Sequence, residues 1–156
     1  MKLFSPVLEL QVYRPLTRDE LKSQRSDFDL AFYEKMLRKE YDSRLRMDFF
    51  AWQTKVDKLM RVTLMSWMSE LCADMRFQKT TFYMSLAYCD KFFEAAQCIY
   101  GPEDLQLIGV TAVYIAAKVE EVCVPTVKVF SKSTNYSSSV RRIIQMERDM
   151  MSTLGF

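Results

Sequence analysis

Residues 105–119, LQLIGVTAVYIAAKV, constrain the fold more than any other part of the chain. Apart from Gln106, Thr111 and Lys118 the segment is apolar; it contains no proline, and its one glycine is Gly109, so a helix can run through it. A helix that is apolar on all sides has no face for water and must lie inside a bundle. At about fifteen residues it is too short to span a bilayer. The sequence therefore predicts a central buried helix.

Composition supports an all-α protein. Of the 156 residues 49% are hydrophobic, with Met 11 and Phe 11 but only Gly 3 and Pro 4, which favours packed helices over sheets with tight turns. The absence of histidine excludes a Ser-His-Asp triad and histidine metal sites. A net charge of +2 does not provide the basic surface that nucleic acids require. We expect no enzyme activity, cofactor, metal, nucleic acid or membrane partner.

Four cysteines and the N-terminal segment favour an intracellular protein. Cys72, Cys89, Cys98 and Cys123 are spread singly through apolar segments, which is typical of reduced thiols rather than of disulfides or a zinc site. The first residues lack the apolar run and cleavage-type site of a secretory signal. Residues 1–27 have no sustained periodicity, so we expect a partly disordered extension.

Apolar spacing predicts the helices that surround the central one. Phe28, Phe32 and Met36 indicate an N-terminal helix within residues 28–50, which also hold a linker. Within about residues 58–74, the apolar side chains of the expected helix fall on two lines along its surface, one of which passes through Trp67. This is more apolar surface than one buried face needs. Trp67 is therefore either a core residue or the anchor of an open groove for a short peptide.

A third helix is expected to begin at Thr80 or Thr81 and to carry Asp90 at the edge of its apolar face. A lone carboxylate there would be unfavourable, and Arg61 is the nearest plausible cation in sequence. We therefore expect a structural Arg61–Asp90 ion pair. Pro102 marks the start of the central helix, and Pro125 marks the expected start of a brief helix before the last one.

Two charged residues, Lys118 and Glu147, interrupt apolar faces of two different helices. One alternative is that they pair with each other or face solvent. The other is that they lie together at a rim and contact a partner protein, where removing either would cost about 2–5 kcal/mol of binding. The spacing alone leaves both alternatives open.

Four segments in this order resemble the conserved blocks of the cyclin box: MRVTLMSWMSEL (60–71), TFYMSLAYCDKFF (81–93), LQLIGVTAVYIAAKVEE (105–121) and QMERDMMSTLGF (145–156). The resemblance covers residues 28–156. Five family hallmarks match in order, at Arg61, Asp90, Leu107, Lys118 and Glu147. Among the subtypes, EKMLRKE (34–40) with LQLIG and IAAKVEE looks most like cyclin E.

The resemblance implies an all-α cyclin-box five-helix bundle around the central helix, preceded by an N-terminal helix. The box would occupy residues 51–156, with the family's second cyclin repeat absent. It also implies a non-catalytic subunit that binds and activates a cyclin-dependent serine/threonine kinase in G1/S control of cell division. We expect such a protein in the nucleus and cytoplasm, mainly in the nucleus.

The resemblance further implies three sets of site residues. The kinase-binding set is Lys118, Glu147, Val119, Met151 and Phe156. The patch that recruits Arg-x-Leu substrates or inhibitors is Met60, Thr63, Leu64, Trp67, Glu70, Leu105 and Gln106. The internal ion pair is Arg61 with Asp90.

Two residues depart from the family pattern within these sets. Thr63 replaces an aliphatic residue, and we expect this hydroxyl to weaken motif docking by ~1 kcal/mol, comparable to one lost buried methylene. Ser66 stands where aspartate is common, which leaves Arg61 one potential partner fewer. The alternatives to a kinase activator are a cyclin-fold transcription or scaffold protein and a truncated cyclin that binds kinase without activating it.

Overall fold

The computed structural model describes residues 27–42 and 49–155, with side chains from residue 31 in the first range up to residue 41. The described chain is all-helical, as the sequence predicted. In order it forms α1 (Asp27–Asp42), a 3-10 turn (Phe49–Ala51), α2 (Lys58–Asp74), α3 (Lys79–Ala95), α4 (Pro102–Glu120), α5 (Val127–Ser133) and α6 (Val140–Leu154). Within these ranges no helix has the length and apolarity needed to cross a bilayer.

Helix α1 belongs to a unit that ends at Arg44, and the other helices belong to a second unit that begins at Leu45. On α1 the side chains of Phe32, Met36 and Tyr41 are exposed. The predicted N-terminal extension lies, except for Asp27, outside the described residues, and the predicted boundary at residue 50 stays a prediction.

Helix α4 is the centre of the second unit, and the prediction of a central buried helix is confirmed. Helices α2, α3, α5 and α6 all pack against it. Ile108, Val110, Ala112 and Val113 are fully buried, so no side of its middle turns is exposed. Pro102 occupies the first turn, where its missing N–H leaves no intrahelical bond unmade.

The close approach of α2 to α4 depends on Gly109. A Cβ atom at this position would lie 2.7 Å from Leu64 Cδ1 and 3.4 Å from Met68 Sδ. A distance of 2.7 Å is well inside normal van der Waals contact between carbon atoms. Gly109 therefore lets α2 approach the central helix closely, with Leu64 next to the space that a Cβ would take.

The helix starts use both local and distant side chains. Asp57 caps α2 by accepting a hydrogen bond from the Met60 N–H at 2.7 Å, and Ser139 caps α6 by accepting one from Arg142 N–H. Gln78 precedes α3 without a side-chain cap. Instead, Glu121 from the end of α4 accepts hydrogen bonds from the Gln78 N–H at 2.8 Å and the Thr81 hydroxyl at 2.5 Å.

Gln53 joins the segment before α2 to the connection that follows α3. Its side chain is fully buried, and its amide donates to the Cys98 carbonyl while its oxygen accepts from the Tyr100 N–H, each at 3.0 Å. Trp52 donates its indole N–H to the Phe93 carbonyl at 3.1 Å. The Phe93 carbonyl is one of the last α3 carbonyls, which lack intrahelical partners, whereas the Cys98 and Tyr100 groups lie in the connection between α3 and α4.

Candidate functional site

The Lys118 ammonium lies 2.5 Å from Glu147 Oε1, so the last turn of α4 is joined to the middle of α6. The same ammonium lies 4.1 Å from the centroid of the Tyr114 ring, one turn earlier on α4. The structure thus brings together the two charges that interrupt apolar faces. We call Lys118, Glu147 and the neighbouring Val119 and Met151 the Lys118 edge.

The pair at the Lys118 edge is only partly shielded from solvent. The Lys118 side chain is 42% exposed and that of Glu147 is 12% exposed. Burial lowers the pKa of Lys118, but the hydrogen bonds and charges of Glu147 and Tyr114 outweigh it, so the pKa lies above the ordinary 10.5. Lys118 is therefore cationic at neutral pH, with an exposed ammonium beside a carboxylate.

Exposed apolar side chains border this ion pair. Val119 is 57% exposed and Met151 is 39% exposed, one on each of the two helices that carry the charges. Val122 and Val124, in the connection after α4, are also exposed. Their exposure could not be predicted from the sequence, because a loop has no periodicity that indicates which side chains face solvent. Phe156 lies outside the described residues.

A second surface, which we call the Trp67 groove, lies between α2 and the start of α4. It has a volume of about 480 Å³ and is lined mainly by apolar side chains. Its lining residues are Asp57, Leu59, Met60, Thr63, Leu64, Trp67, Pro102, Leu105 and Gln106. Six of the seven predicted patch residues are therefore gathered in one groove, while Glu70 is exposed outside its lining.

Trp67 combines the two expected roles, that of a core residue and that of a residue in an open groove. It is half-buried and packs against the core while lining the groove. Leu64 and Leu105 are buried and form the base, whereas Leu59 is 73% exposed at the rim. The apolar line of α2 that passes through Trp67 thus packs partly on the core and is partly left open as a groove.

Two polar residues of the Trp67 groove are held by internal hydrogen bonds. The Thr63 hydroxyl donates to the Leu59 carbonyl one turn earlier, at 2.9 Å. Ser137 donates its hydroxyl to Gln106 Oε1 at 2.8 Å, so the loop before α6 fixes the Gln106 amide. Because the Thr63 proton is already used, a ligand meets a satisfied hydroxyl at this position.

Arg61 and Asp90 form a two-point ion pair that joins α2 to α3. Nε lies 2.8 Å from Oδ1 and Nη2 lies 2.5 Å from Oδ2, with the Asp90 side chain 14% exposed. The hydrogen bond to Asp90 raises the pKa of Arg61, against a smaller opposing effect of burial. Nη1 also donates to Met65 Sδ at 2.9 Å, so the guanidinium is held without an aspartate at Ser66.

The Lys118 edge and the Trp67 groove lie toward opposite ends of α4. Gln106 and Lys118 are separated by twelve residues of helix, or about 18 Å at 1.5 Å per residue. A rigid helix therefore carries one surface of opposite charges and one apolar groove. This arrangement allows two separate protein segments to be bound at once.

Residues 31–156 match the family model of the cyclin N-terminal domain. The chain belongs to the cyclin family. G1/S-specific cyclin-E of Drosophila melanogaster is 32% identical over 120 residues, covering 76% of this chain and 17% of that protein. Cyclin-A1-2 of Arabidopsis thaliana is 30% identical over 132 residues, covering 84% of this chain and 29% of that protein.

A third relative is the G2/mitotic-specific cyclin-B of Dictyostelium discoideum, which is 30% identical over 118 residues, covering 76% of this chain and 27% of that protein. Cyclins of three types thus match this chain about equally well, so the resemblance to cyclin E receives only weak support. The chain spans less than a third of the length of these three relatives.

Proposed function

We propose that this chain is a non-catalytic regulatory subunit that binds and activates a cyclin-dependent serine/threonine kinase. The observation that supports it most strongly is the Lys118 edge, where an exposed ammonium and a carboxylate from two helices lie together beside exposed Val119 and Met151. Opposite charges at a fixed spacing select the orientation of a partner, and apolar side chains beside them supply buried area.

Activation follows if the Lys118 edge binds only one of two kinase conformations. A ligand shifts a two-state equilibrium by its difference in affinity for the two states, and a tenfold difference corresponds to about 1.4 kcal/mol. In this proposal Lys118 and Glu147 contact backbone or polar groups of a kinase helix in its active position. Val119 and Met151 pack against apolar residues that are accessible only in that position.

The Trp67 groove is proposed to recruit substrates or inhibitors that carry an Arg-x-Leu motif. The leucine would pack on Leu64, Leu105 and Trp67, because these side chains offer an open apolar surface. The arginine would lie toward the acidic rim, where Asp57 lines the groove and Glu70 is exposed further along α2. Replacing Trp67 with Ala should weaken the binding of an Arg-x-Leu peptide and leave kinase binding at the Lys118 edge unchanged.

The cellular setting is proposed from the resemblance to cyclin E. We place the protein in G1/S control and mainly in the nucleus. A fluorescent fusion followed through one division cycle tests both points: abundance should peak at the start of DNA replication, with nuclear signal above cytoplasmic. A peak at mitosis would favour a cyclin A or B role.

The decisive experiment is a pull-down of cyclin-dependent kinases with the purified chain and its variants, followed by a histone phosphorylation assay. Lys118→Ala and Glu147→Ala should each lose about 2–5 kcal/mol of binding, because an unpaired charge remains at the interface. Lys55→Ala is the matched control, since Lys55 is exposed and outside both surfaces. Full kinase binding by the Lys118→Ala/Glu147→Ala double variant would refute the proposed role of the edge.

The histone assay separates activation from binding alone. Phosphorylation that rises with added chain supports an activator. Kinase association without a rise in phosphorylation supports the alternative of a subunit that binds without activating.

A further inference from the structure

A third surface, distinct from the Lys118 edge and the Trp67 groove, lies between α5 and the start of α6. We call it the Lys128 groove; it is lined by Lys128, Val129, Ser131, Lys132, Tyr136 and Val140 and has a volume of about 450 Å³. Val129 is 44% exposed and Tyr136 is 69% exposed. The groove shares no lining residue with the Trp67 groove.

The charge around the Lys128 groove differs from that of the whole chain. Residues 122–146 contain four basic side chains, Lys128, Lys132, Arg141 and Arg142, and no acidic one, although the chain as a whole is nearly neutral. Lys128 and Lys132 are four residues apart and so lie on one side of α5. Both are exposed, and no ion pair involves either of them among the described residues.

Like charges at this spacing repel each other, so they weaken a short helix rather than stabilise it. Arg142 is engaged elsewhere, 3.5 Å from Asp104 at the start of α4. Among the described residues, no carboxylate forms an ion pair with Lys128 or Lys132 that would offset their repulsion. An anionic ligand between them would offset this repulsion with two attractive interactions.

The wall of the groove formed by the α5–α6 turn is held by buried hydrogen bonds. Ser131 donates its hydroxyl to the Ser138 carbonyl at 2.7 Å, and Thr134 donates to the Ser131 carbonyl at 2.8 Å. Tyr136 has a φ of 61° and donates its N–H to the same carbonyl at 3.0 Å. These bonds fix the backbone that carries Tyr136, one of the residues that line the groove.

We propose that the Lys128 groove binds a short acidic peptide segment of a partner protein that carries at least one aliphatic or aromatic side chain. The carboxylates would pair with Lys128 and Lys132. The apolar side chain would pack between Val129, Val140 and Tyr136. A small inorganic anion would leave these three side chains uncovered, which is why the occupant we assign is a peptide.

Fluorescence anisotropy with the purified chain tests this assignment. The probe is a fluorescein-labelled peptide, Glu-Glu-Leu-Glu-Glu-Phe-Glu, and a second probe replaces Leu and Phe with Ser. The first probe should bind at about 150 mM salt, and its affinity should fall as ionic strength rises, because exposed charges are screened. The second should bind about tenfold more weakly, since the apolar contacts are lost.

Charge reversal provides the residue-level test. Lys128→Glu/Lys132→Glu should lower the affinity for the first probe by about tenfold or more, since two attractions become repulsions. Lys55→Glu/Lys79→Glu changes the net charge equally at two exposed lysines elsewhere and should alter affinity less than about twofold. Circular dichroism checks that both double variants keep their helix content.

Three results would overturn the assignment. One is equal binding of the first probe by the wild type and Lys128→Glu/Lys132→Glu. Another is equal binding of the Leu/Phe and Ser probes, which would indicate charge attraction without a groove. The third is displacement of the peptide by a duplex DNA at the same charge concentration, which would indicate a general polyanion surface.

Discussion

The Lys118 ammonium and the Glu147 carboxylate, 29 residues apart in sequence, meet at 2.5 Å and connect the end of α4 to α6. An ion pair in this position has two possible roles, since it either stabilises the bundle or presents charge to a partner. The 42% exposure of the lysine side chain favours the second role.

The first prediction concerns a double-mutant cycle of Lys118→Ala and Glu147→Ala. Because exposed pairs contribute about 0–1 kcal/mol to stability, we expect a coupling energy below about 1 kcal/mol in urea unfolding. Kinase association should fall much further than stability. A coupling of about 3 kcal/mol or more would mean that the pair mainly supports the fold.

The second prediction concerns the Arg61–Asp90 pair. Asp90→Ala should destabilise the bundle by about 2–4 kcal/mol, because the guanidinium would keep its charge while losing both carboxylate bonds in a partly buried place. Arg148→Ala, at an exposed position on α6, is the control and should change stability by less than about 0.5 kcal/mol. Equal unfolding midpoints for the two variants would contradict the structural role.

The third prediction concerns Gly109→Ala. The added methyl would push Leu64 away, and overpacking of about 1–3 kcal/mol offsets or exceeds the gain of roughly 1 kcal/mol in helix propensity, so the variant should be no more stable than the wild type in urea unfolding. Since Leu64 forms the base of the Trp67 groove, an Arg-x-Leu peptide should also bind more weakly. Unchanged peptide affinity in calorimetry would show that Leu64 can move without altering the groove.

The fourth prediction concerns the cap that Glu121 provides for α3. Glu121→Ala should lower stability by about 1–2 kcal/mol, because the Gln78 N–H and the buried Thr81 hydroxyl lose their acceptor. In the Thr81→Val background the loss should be smaller, since one of the two donors is already absent. Equal losses in both backgrounds would argue against a shared hydrogen bond.

The fifth prediction concerns the cysteines. Cys98 and Cys123 are exposed, whereas burial raises the pKa of Cys72 to about 11 and raises that of Cys89 as well. A colorimetric thiol reagent should therefore react rapidly with two thiols in the native chain and with all four after unfolding. Fast reaction of Cys72 or Cys89 would indicate local opening of the core.

The same burial sets the sign of a pH dependence. A pKa raised in the folded state keeps the Cys72 proton bound when the unfolded thiol has lost it. Its contribution to stability is present below the ordinary pKa of 9.0 and is lost as pH rises toward about 11. Replacing Cys72 with Ala should flatten this part of the curve.

Features with a local pattern could be predicted from the sequence. The observed bounds of α2 and the start of α4 at Pro102 agree with the predicted ones, because apolar spacing and proline influence the backbone within a few residues. The short helix begins at Val127, two residues after Pro125, and Thr126 is its N-cap. A proline near a helix start indicates the approximate place of that start and not the exact first residue.

Features that depend on distant residues could not be predicted. Helix α3 begins at Lys79, before the expected Thr80 or Thr81, and the cap that fixes its start is Glu121, about 40 residues away. Gln53 bridges a similar distance to Cys98. Asp57, in contrast, had a recognisable signature, because an aspartate directly before an apolar helix is a common N-cap.

The hydrogen bonds of Glu121 have a consequence for association. The last turn of α4 is anchored to α3 through Glu121 and to α6 through Lys118, so its conformational freedom is already small before any partner arrives. Less entropy is then lost on docking, and more of the contact energy remains as affinity. Loosening the Glu121 anchor should therefore lower the affinity of the proposed complex, even if Glu121 itself makes no contact with the kinase.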